Sequence, residues 1–411
     1  SGYMCAYELN KLNPNKKILM IDKGYSIYNR RCPVLKHQLE RCPINKEGVA
    51  GCYPACSMTN GFGGAGAYSD GKYNITTEFG GWLSDYIDDE ELLNLINYCD
   101  EINLKFGATE IITDPYTDEI KKIEKQAIGA GLKLLRAKVR HLGTEENLNI
   151  LKRIYEYLKE RVEIRFLTAL KDIIVEENTV KGIILNDDNK IYADNVVLCL
   201  GRDGSIFLNE LLEKYNIQMH NNQVDIGVRV ETSDVIMEDI NKNLYEGKFI
   251  FNTSVGTKVR TFCSNPSGHV VIENDHNVVL ANGHSYFDKK LGSKNTNFAL
   301  LVSHKFKEPF NEPNTFASSI AKLANRLSCG SVIVQKYGDI KRGRRSTEKR
   351  IKEGFVKPTL KEAVPGDLTL CLPYKTMQSL IEIIEALDKV TPGIANDDTL
   401  FYGVEAKFYS A

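Results

Sequence analysis

The sequence predicts an α/β protein with a second, α+β domain inserted into it. Three observations carry this. The chain opens as a helix over residues 3–12, turns at Asn13-Pro14-Asn15, and runs into an apolar strand over 17–22 that ends in Asp22. Helix, turn, buried strand and terminal acid in that order form the later part of a β-α-β dinucleotide unit. Asn195 to Leu200 is apolar almost throughout and ends in Gly201, as a buried parallel strand does. From Val224 the texture changes to short β-branched and aromatic runs with turn residues between them, which predicts a mostly antiparallel sheet over 224–290.

The elements between follow from their periodicity. Residues 25–80 lack a period and are rich in Cys, Pro and Gly, so they read as a long structured loop of the kind that carries function. A helix is expected from Asp88 to about Phe106, with acids in its first turn that suit the helix dipole. Further helices are expected over 118–130 and from Thr144 to Glu160. The period then switches to two, and 162–185 reads as a meander turning at Glu176-Glu177-Asn178. Residues 314–326 and 376–388 are helical in pattern.

Bulk properties narrow the function classes. A chain of 411 residues is long for one core, so two domains are expected. Lys and Arg number 53 against 54 Asp and Glu, a net charge of −1, so no global basic field favours nucleic acid. No apolar run reaches the ~18 residues of a membrane span, and no secretory leader pattern opens the chain. Of ten cysteines six are scattered and four fall within one window, unlike a small disulfide scaffold, and the compartment reads as cytoplasmic.

Two glycine patterns compete for a phosphate-binding role. Gly61-Phe62-Gly63-Gly64-Ala65-Gly66 matches G-x-G-x-x-G, but neither a strand before it nor a helix after it is present in the pattern. Four glycines in six residues instead suggest backbone pressed against a flat or phosphorylated cofactor. The dinucleotide fingerprint fits the start better: Gly2 enters the first helix and Asp22 follows 20 residues on.

Other candidates carry chemistry by residue type. Cys32, Cys42, Cys52 and Cys56 form C-x9-C-x9-C-x3-C, a set that would suit zinc or an iron–sulfur cluster, a redox dithiol, or no special chemistry. His284 and His269 stand at strand ends where a substrate would be met, and a neutral histidine is a natural proton donor. Arg260 suits a carboxylate or phosphate. The stretch KRGRRSTEKRIK at 341–352 is locally basic and reads as a solvated face or an anion-binding run.

The stretches GFGGAGAYSDGKYN (61–74), VVLCLGRDGS (196–205), VDIGVRVE (224–231), RTFCSNPSGHVV (260–271), NGHSY (282–286), NTNFALLVS (295–303) and TLFYGVEAKF (399–408) together resemble the two-domain FAD-dependent dehydrogenases of the glutathione-reductase-like superfamily. More narrowly, the chain resembles a bacterial FAD-dependent dehydrogenase family. The resemblance implies a discontinuous, Rossmann-like FAD-binding domain over 1–80, 131–223 and 390–411, a helical insertion at 81–130, and a substrate domain at 224–389. It implies that Gly2, Asp22 and Lys23 meet the adenosine and phosphates, and that Leu170 offers backbone to the adenine. Gly63, Gly64, Ala65, Gly66, Ser69, Asp70, Gly71 and Lys72 would line the pyrophosphate and flavin, and Gly201 and Arg202 would close over the dinucleotide. Members begin with a strand and G-x-G-x-x-G and end with a Gly-Asp segment, so the expectation is a chain lacking the first strand and the C-terminal segment.

The reading that follows is an FAD-dependent oxidoreductase acting on a small molecule. The first alternative is an electron-transfer flavoprotein with an iron–sulfur or other metal site at the cysteines. The second is a non-catalytic flavin- or nucleic-acid-binding protein. No second strand–glycine–helix pattern is present for a dedicated NAD(P) domain, so electrons would come from NAD(P)H docking transiently over the flavin or from a carrier protein. Oligomeric state is not legible.

Overall fold

The computed structural model describes residues 1–33, 38–39, 52–69, 71–244, 246–275, 278–286, 289–307, 309–310 and 312–408. The first unit begins with helix α1 (Gly2–Leu12), which buries Ala6, Tyr7 and Asn10 and stops before Pro14. Strand β1 (Leu19–Ile21) follows. Strand β2 (Lys72–Ile75) lies within the stretch expected to be loop. Helix α2 (Asp89–Lys105) starts at Asp88, whose carboxylate accepts from Glu91 N at 2.8 Å, and α3 (Asp118–Gly129) is capped in the same way by Thr117. Short strands β3 (Leu132–Leu135) and β4 (Lys138–His141) precede α4 (Gly143–Lys159). Helix α4 buries Asn147, Ile150, Leu151, Ile154 and Leu158, the face its 3.6-residue period dictates. Strand β5 (Glu163–Arg165) then pairs parallel with β1, Leu19 opposite Glu163.

Of the meander expected over 162–185, β6 (Leu170–Glu176) and β7 (Thr179–Leu185) form an antiparallel hairpin, to which β8 (Lys190–Tyr192) adds as the third strand, whereas β5 leaves it to pair with β1. Glu177 and Asn178 take φ of 50° and 60°, the two left-handed residues a tight hairpin turn requires. The strand expected over 195–200 is not formed. Those residues are extended, with Val197 62% exposed, and pair with no strand among the described residues. An all-apolar strand needs neighbours on both sides, and here the run forms the wall of a cleft instead. Helix α5 (Ser205–Lys214) closes the unit. Its Lys214, with Tyr215 just beyond, grips Asp172 of β6.

The second unit is built on β9 (Val224–Ser233), followed by α6 (Glu238–Asn243), β10 (Lys248–Asn252), β11 (Lys258–Asn265), β12 (His269–Asp275), β13 (Val278–His284) and β14 (Asn295–His304). After these come α7 (Pro313–Leu327), β15 (Ile333–Lys336), α8 (Tyr337–Lys341), α9 (Glu348–Glu353), β16 (Val364–Pro365), α10 (Tyr374–Asp388) and β17 (Leu400–Lys407). One eight-stranded sheet runs β16-β15-β17-β9-β14-β11-β10-β3, with β12 and β13 as a separate hairpin. Two expected boundaries shift. Strand β17 does not return to the first unit; it pairs β9 in the middle of the large sheet, Phe401 opposite Val230. The 81–130 segment is not a unit of its own: α2 puts Ile102 into the first core, and α3 puts Ile120, Ile123 and Ala127 into the second.

Alternation along β9 explains the layering. Val224, Ile226, Val228 and Val230 face a core made with Leu380, Ile383, Ile384 and Leu387 of α10 and Ala317, Ala321 and Ala324 of α7. Each such large side chain contributes about 1.5–3 kcal/mol by leaving water. The alternate residues Asp225, Arg229 and Glu231 are equally buried on the other face. Charges there must be paired and bonded to be tolerated. Glu231 meets that demand by accepting from Tyr402 Oη, Thr359 Oγ1 and N, and Asn295 Nδ2.

His304 ends β14 with its Nε2 3.2 Å from Thr376 Oγ1, beside the rings of Phe306 and Phe316. Burial pushes its pKa below the ordinary value of about 6.5, against an opposing pull from Asp225. The unfolded chain therefore takes up this proton first. The stabilisation is complete above the ordinary value and is lost as pH falls through the lower, folded one. Melting curves between pH 7.5 and 5 should show the gap between wild type and H304F narrowing as pH falls; a gap that stays constant would contradict the assignment.

Candidate functional site

A cleft of about 1810 Å³ opens between α1, β1, the glycine-rich loop, the start of β6 and the extended run 195–201. Small-molecule sites usually enclose roughly 300–1,000 Å³, so this one has room for an extended ligand. The N-terminus of α1 enters it at Ser1 and Gly2, with no acid in the first turn to oppose an anion. Cys199 Cβ packs 3.5 Å from the place a Cβ on Gly2 would take.

Asp22 sits where β1 meets the cleft. Its Oδ1 accepts from Gly24 N at 2.7 Å and from Gly61 N at 3.1 Å, so one oxygen ties the strand end to the glycine-rich loop. The second oxygen, Oδ2, keeps acceptor capacity for a ligand. Burial pushes the Asp22 carboxyl up, and the two N–H donors, Arg30 and Lys23 offset only part of that. The clamp depends on close backbone approach: a Cβ on Gly24 would stand 2.4 Å from Gly61 N, and one on Gly61, at φ +96°, 2.4 Å from Tyr25 O. Lys23 pairs with Asp203, which fastens the turn after Gly201 to the same strand end.

Arg30 organises the loop from behind. It is 4% exposed and donates to Ser57 O at 2.9 Å, Met58 O at 3.0 Å and Phe62 O at 2.6 Å. Sequence reasoning missed it, because an arginine in an aperiodic loop carries no signal of its own. Gly63 and Gly64 take φ of 86° and 56° at the entry to a 3₁₀ turn over Gly64–Tyr68.

The expected cofactor residues divide. Gly2, Asp22, Lys23, Gly63, Gly64, Ala65, Leu170 and Gly201 line the cleft. Gly66, Ser69, Gly71 and Lys72 stand outside its lining. Gly66 O accepts from Asn147 Nδ2 of α4 at 2.7 Å and from Ser69 Oγ at 2.9 Å, and Lys72 reaches across to Ser264 O at 3.1 Å. These residues brace the loop and do not line the opening. Asp70 lies outside the described residues; Arg202 begins a 3₁₀ turn over Arg202–Gly204.

Cys52 and Cys56 line the cleft, whereas Cys32 does not, and Cys42 lies outside the described residues. Burial pushes the Cys52 thiol up, with Cys56 and Cys32 adding to it. Among the described residues no group of three His, Cys, Asp or Glu side chains could hold a metal. The expectation of zinc or an iron–sulfur cluster at Cys32, Cys42, Cys52 and Cys56 therefore has no described ligand set behind it.

The structure brings His269 and His284 together but away from the cleft. They face each other across the β12–β13 hairpin with the Tyr286 ring beside both, and His269 Nε2 lies 2.9 Å from Leu291 O. Glu273 and Asn274, about 13 Å further along β12, line the cleft in their place. Arg260 pairs with Asp225 at 2.5 Å on the polar sheet face, also outside the cleft lining. In the basic stretch, Lys341 and Arg342 pair with Asp397, and Arg344 and Arg350 pair with the buried Asp339. These pairs tie the run to Asp339 of α8 and to Asp397.

Five of the stretches that carried the resemblance converge on one buried network. Arg229 (VDIGVRVE) forms a two-pronged pair with Glu405 (TLFYGVEAKF), Nε to Oε2 at 2.8 Å and Nη2 to Oε1 at 2.7 Å, both side chains 0% exposed. Burial lowers the Arg229 pKa, and the Glu405 carboxylate and Cys263 more than reverse that. Its Nη1 donates to Cys263 O at 2.7 Å, and the left-handed turn at Cys263, φ 47°, interrupts the β11 register between Phe262 and Asn265. Asn265 Nδ2 donates to Asn297 Oδ1 at 3.2 Å. Gly283 leaves the room: a Cβ there would stand 2.1 Å from Asn297 Oδ1 and 2.9 Å from Arg229 Nη1.

Residues 223–408 match the family described as "FAD-dependent protein, C-terminal domain-like". A curated protein of Clostridium beijerinckii, described as uncharacterized, is 27% identical over 368 residues, which cover 84% of this chain and 60% of that protein. The chain thus spans less than two thirds of that relative's length. Among solved structures, L-amino acid deaminase from Proteus vulgaris is 11% identical with a TM-score of 0.31, over 68% of this chain and 59% of that one. L-proline dehydrogenase from P. horikoshii is 12% identical with a TM-score of 0.24, over 83% of this chain and 61% of that one. Likenesses of that size carry no argument about function. Among the described residues no helix is long and apolar enough to cross a membrane.

Proposed function

We propose that the protein is an FAD-dependent oxidoreductase, with the dinucleotide in the cleft at Asp22 and a small-molecule substrate meeting it beside the large sheet. One observation carries the reading. A strand-end carboxylate spends one oxygen on the two loops that shape the cleft and keeps the other for a ligand, and the N-terminus of α1 enters the same space. The family match over 223–408 supports it from the other half of the chain.

The residues fit the group. Asp22 Oδ2 suits a ribose hydroxyl, the first backbone N–H groups of α1 suit a pyrophosphate, and Gly63 and Gly64 leave room for a flat ring to approach the backbone. FAD supplies two-electron redox chemistry when bound. The chain's part is to hold it: Arg30 keeps the glycine-rich loop in shape, the Lys23–Asp203 pair holds the 201–204 turn, and the apolar run at 196–200 keeps water from one wall.

The test is direct. Purified protein incubated with excess FAD and passed through a desalting column should emerge yellow, with flavin absorbance near one equivalent per chain. Folded protein that emerges colourless would overturn the reading.

A further inference from the structure

Asp22 and Arg30 hold the glycine-rich loop where it enters the cleft, and its exit needs a second anchor. The loop lines the cleft from Gly61 to Ala65 and leaves the lining at Gly66, inside the 3₁₀ turn over Gly64–Tyr68. The last carbonyls of such a turn must find partners beyond it. Gly66 O accepts from Ser69 N at 3.2 Å and from Ser69 Oγ at 2.9 Å, both belonging to the loop itself. It also accepts from Asn147 Nδ2 of α4 at 2.7 Å, the shortest of the three bonds and the one that comes from outside the loop.

Asn147 is 1% exposed on the inner face of α4, the face whose Ile150, Leu151, Ile154 and Leu158 pack into the first core. A buried asparagine is unfavourable inside a helix and costs desolvation unless its polar atoms are bonded. Its side-chain bonds to described residues all go to the loop's exit. The amide can stand only one way round. Nδ2 donates to Gly66 O and faces Ser69 O at 3.5 Å, and a carbonyl can only accept. That turns Oδ1 to Tyr73 Oη, which donates to it at 3.1 Å. Backbone approach is equally close: a Cβ on Gly71, at φ +65°, would stand 2.9 Å from Asn147 Cβ. One buried amide therefore fixes Gly66, Ser69 and Tyr73 together.

We propose that Asn147 is a positioning residue for the cofactor. It sets the shape of the glycine-rich loop from α4, and acts on FAD through Gly63, Gly64 and Ala65 without lining the cleft itself. Tyr73 is the partner that keeps the amide oriented. The proposal rests on the FAD reading above and adds to it a residue outside the cleft. An apolar residue at 147 would suit the helix and the core better, so the asparagine is accounted for by the loop it holds.

The FAD affinity of two variants separates this role from packing. Asn147→Asp keeps the shape but, once ionised, can only accept, so it sets an acceptor against Gly66 O. Asn147→Leu is apolar and larger. A packing role ranks N147D close to wild type and N147L the worse; the positioning role reverses that order. In FAD titrations followed by flavin fluorescence at pH 8.5, N147L should bind about fivefold and N147D about thirtyfold more weakly than wild type. N147D binding FAD as tightly as N147L, or more tightly, would overturn the proposal and leave the FAD reading standing. Failure of wild type to hold FAD would overturn both. If the variants do not fold, Tyr73→Phe decides, because it removes one hydroxyl and leaves the ring in place. It should weaken FAD binding about threefold, and wild-type affinity in Y73F overturns the proposal by itself.

Discussion

Arg229→Leu will destabilise the second unit by about 3–5 kcal/mol, because it leaves the Glu405 carboxylate buried without its two-pronged partner. For a unit of this size that is a fall in Tm on the order of 10 °C. Lys407 Nζ, 3.2 Å from Glu405 Oε1, is the remaining cation and cannot replace two parallel N–H donors aimed at both oxygens. The loss also releases the Cys263 carbonyl and the Asn282 amide, so the damage spreads to β11 and to the hairpin. The double variant R229L/E405L removes both charges and should recover part of the loss, since an apolar pair in that space carries no desolvation penalty. Thermal and urea melts of the three variants check this. A single-variant loss below about 1 kcal/mol would place Arg229 among weakly coupled surface charges, contrary to its burial.

Asp22→Ala will weaken FAD binding by about 100-fold, the cost of one charge-assisted hydrogen bond to the ligand together with the loss of the clamp on Gly24 and Gly61. Asp22→Asn keeps an acceptor for both N–H groups and loses only the charge, so its deficit should lie nearer tenfold. Gly61→Ala should match the alanine variant without touching Asp22. It forces a side chain into φ +96° with its Cβ 2.4 Å from Tyr25 O, so the loop must move away from the strand end. Quenching of flavin fluorescence on titration reads all three. Affinities within twofold of wild type would remove Asp22 from the site.

What sequence alone made legible was what depends on near neighbours. The 20-residue interval from Gly2 to Asp22 needs only one helix and one strand, and both residues line the cleft. The Glu177-Asn178 turn and the caps of α2 and α3 are likewise local. The run at 195–200 misled because apolar composition reports a demand for neighbours without showing that any are met. Strand β17 was misassigned because pairing between Phe401 and Val230 spans most of the second unit and leaves no periodic trace.

The site was legible in its motifs and not in its connections. VDIGVRVE, NGHSY and YGVEAKF each stood out, yet nothing in them says that Arg229 meets Glu405 across 176 positions and Asn282 across 53. His284 of NGHSY and His269 of RTFCSNPSGHVV drew attention for their chemistry. Asn282 and Glu273 lie on the same face of their hairpin, two and four residues further along, where Glu273 lines the cleft. The basic run at 341–352 drew attention by composition, and its partners Asp339 and Asp397 both lie outside it.

The most direct test of the account is a crystal structure of the protein with FAD. The prediction is continuous density in the cleft, with a ribose hydroxyl within hydrogen-bond distance of Asp22 Oδ2 and the flavin ring further along the cleft, away from Asp22. Density with the ring at the Asp22 end, or FAD bound outside the cleft, would contradict it.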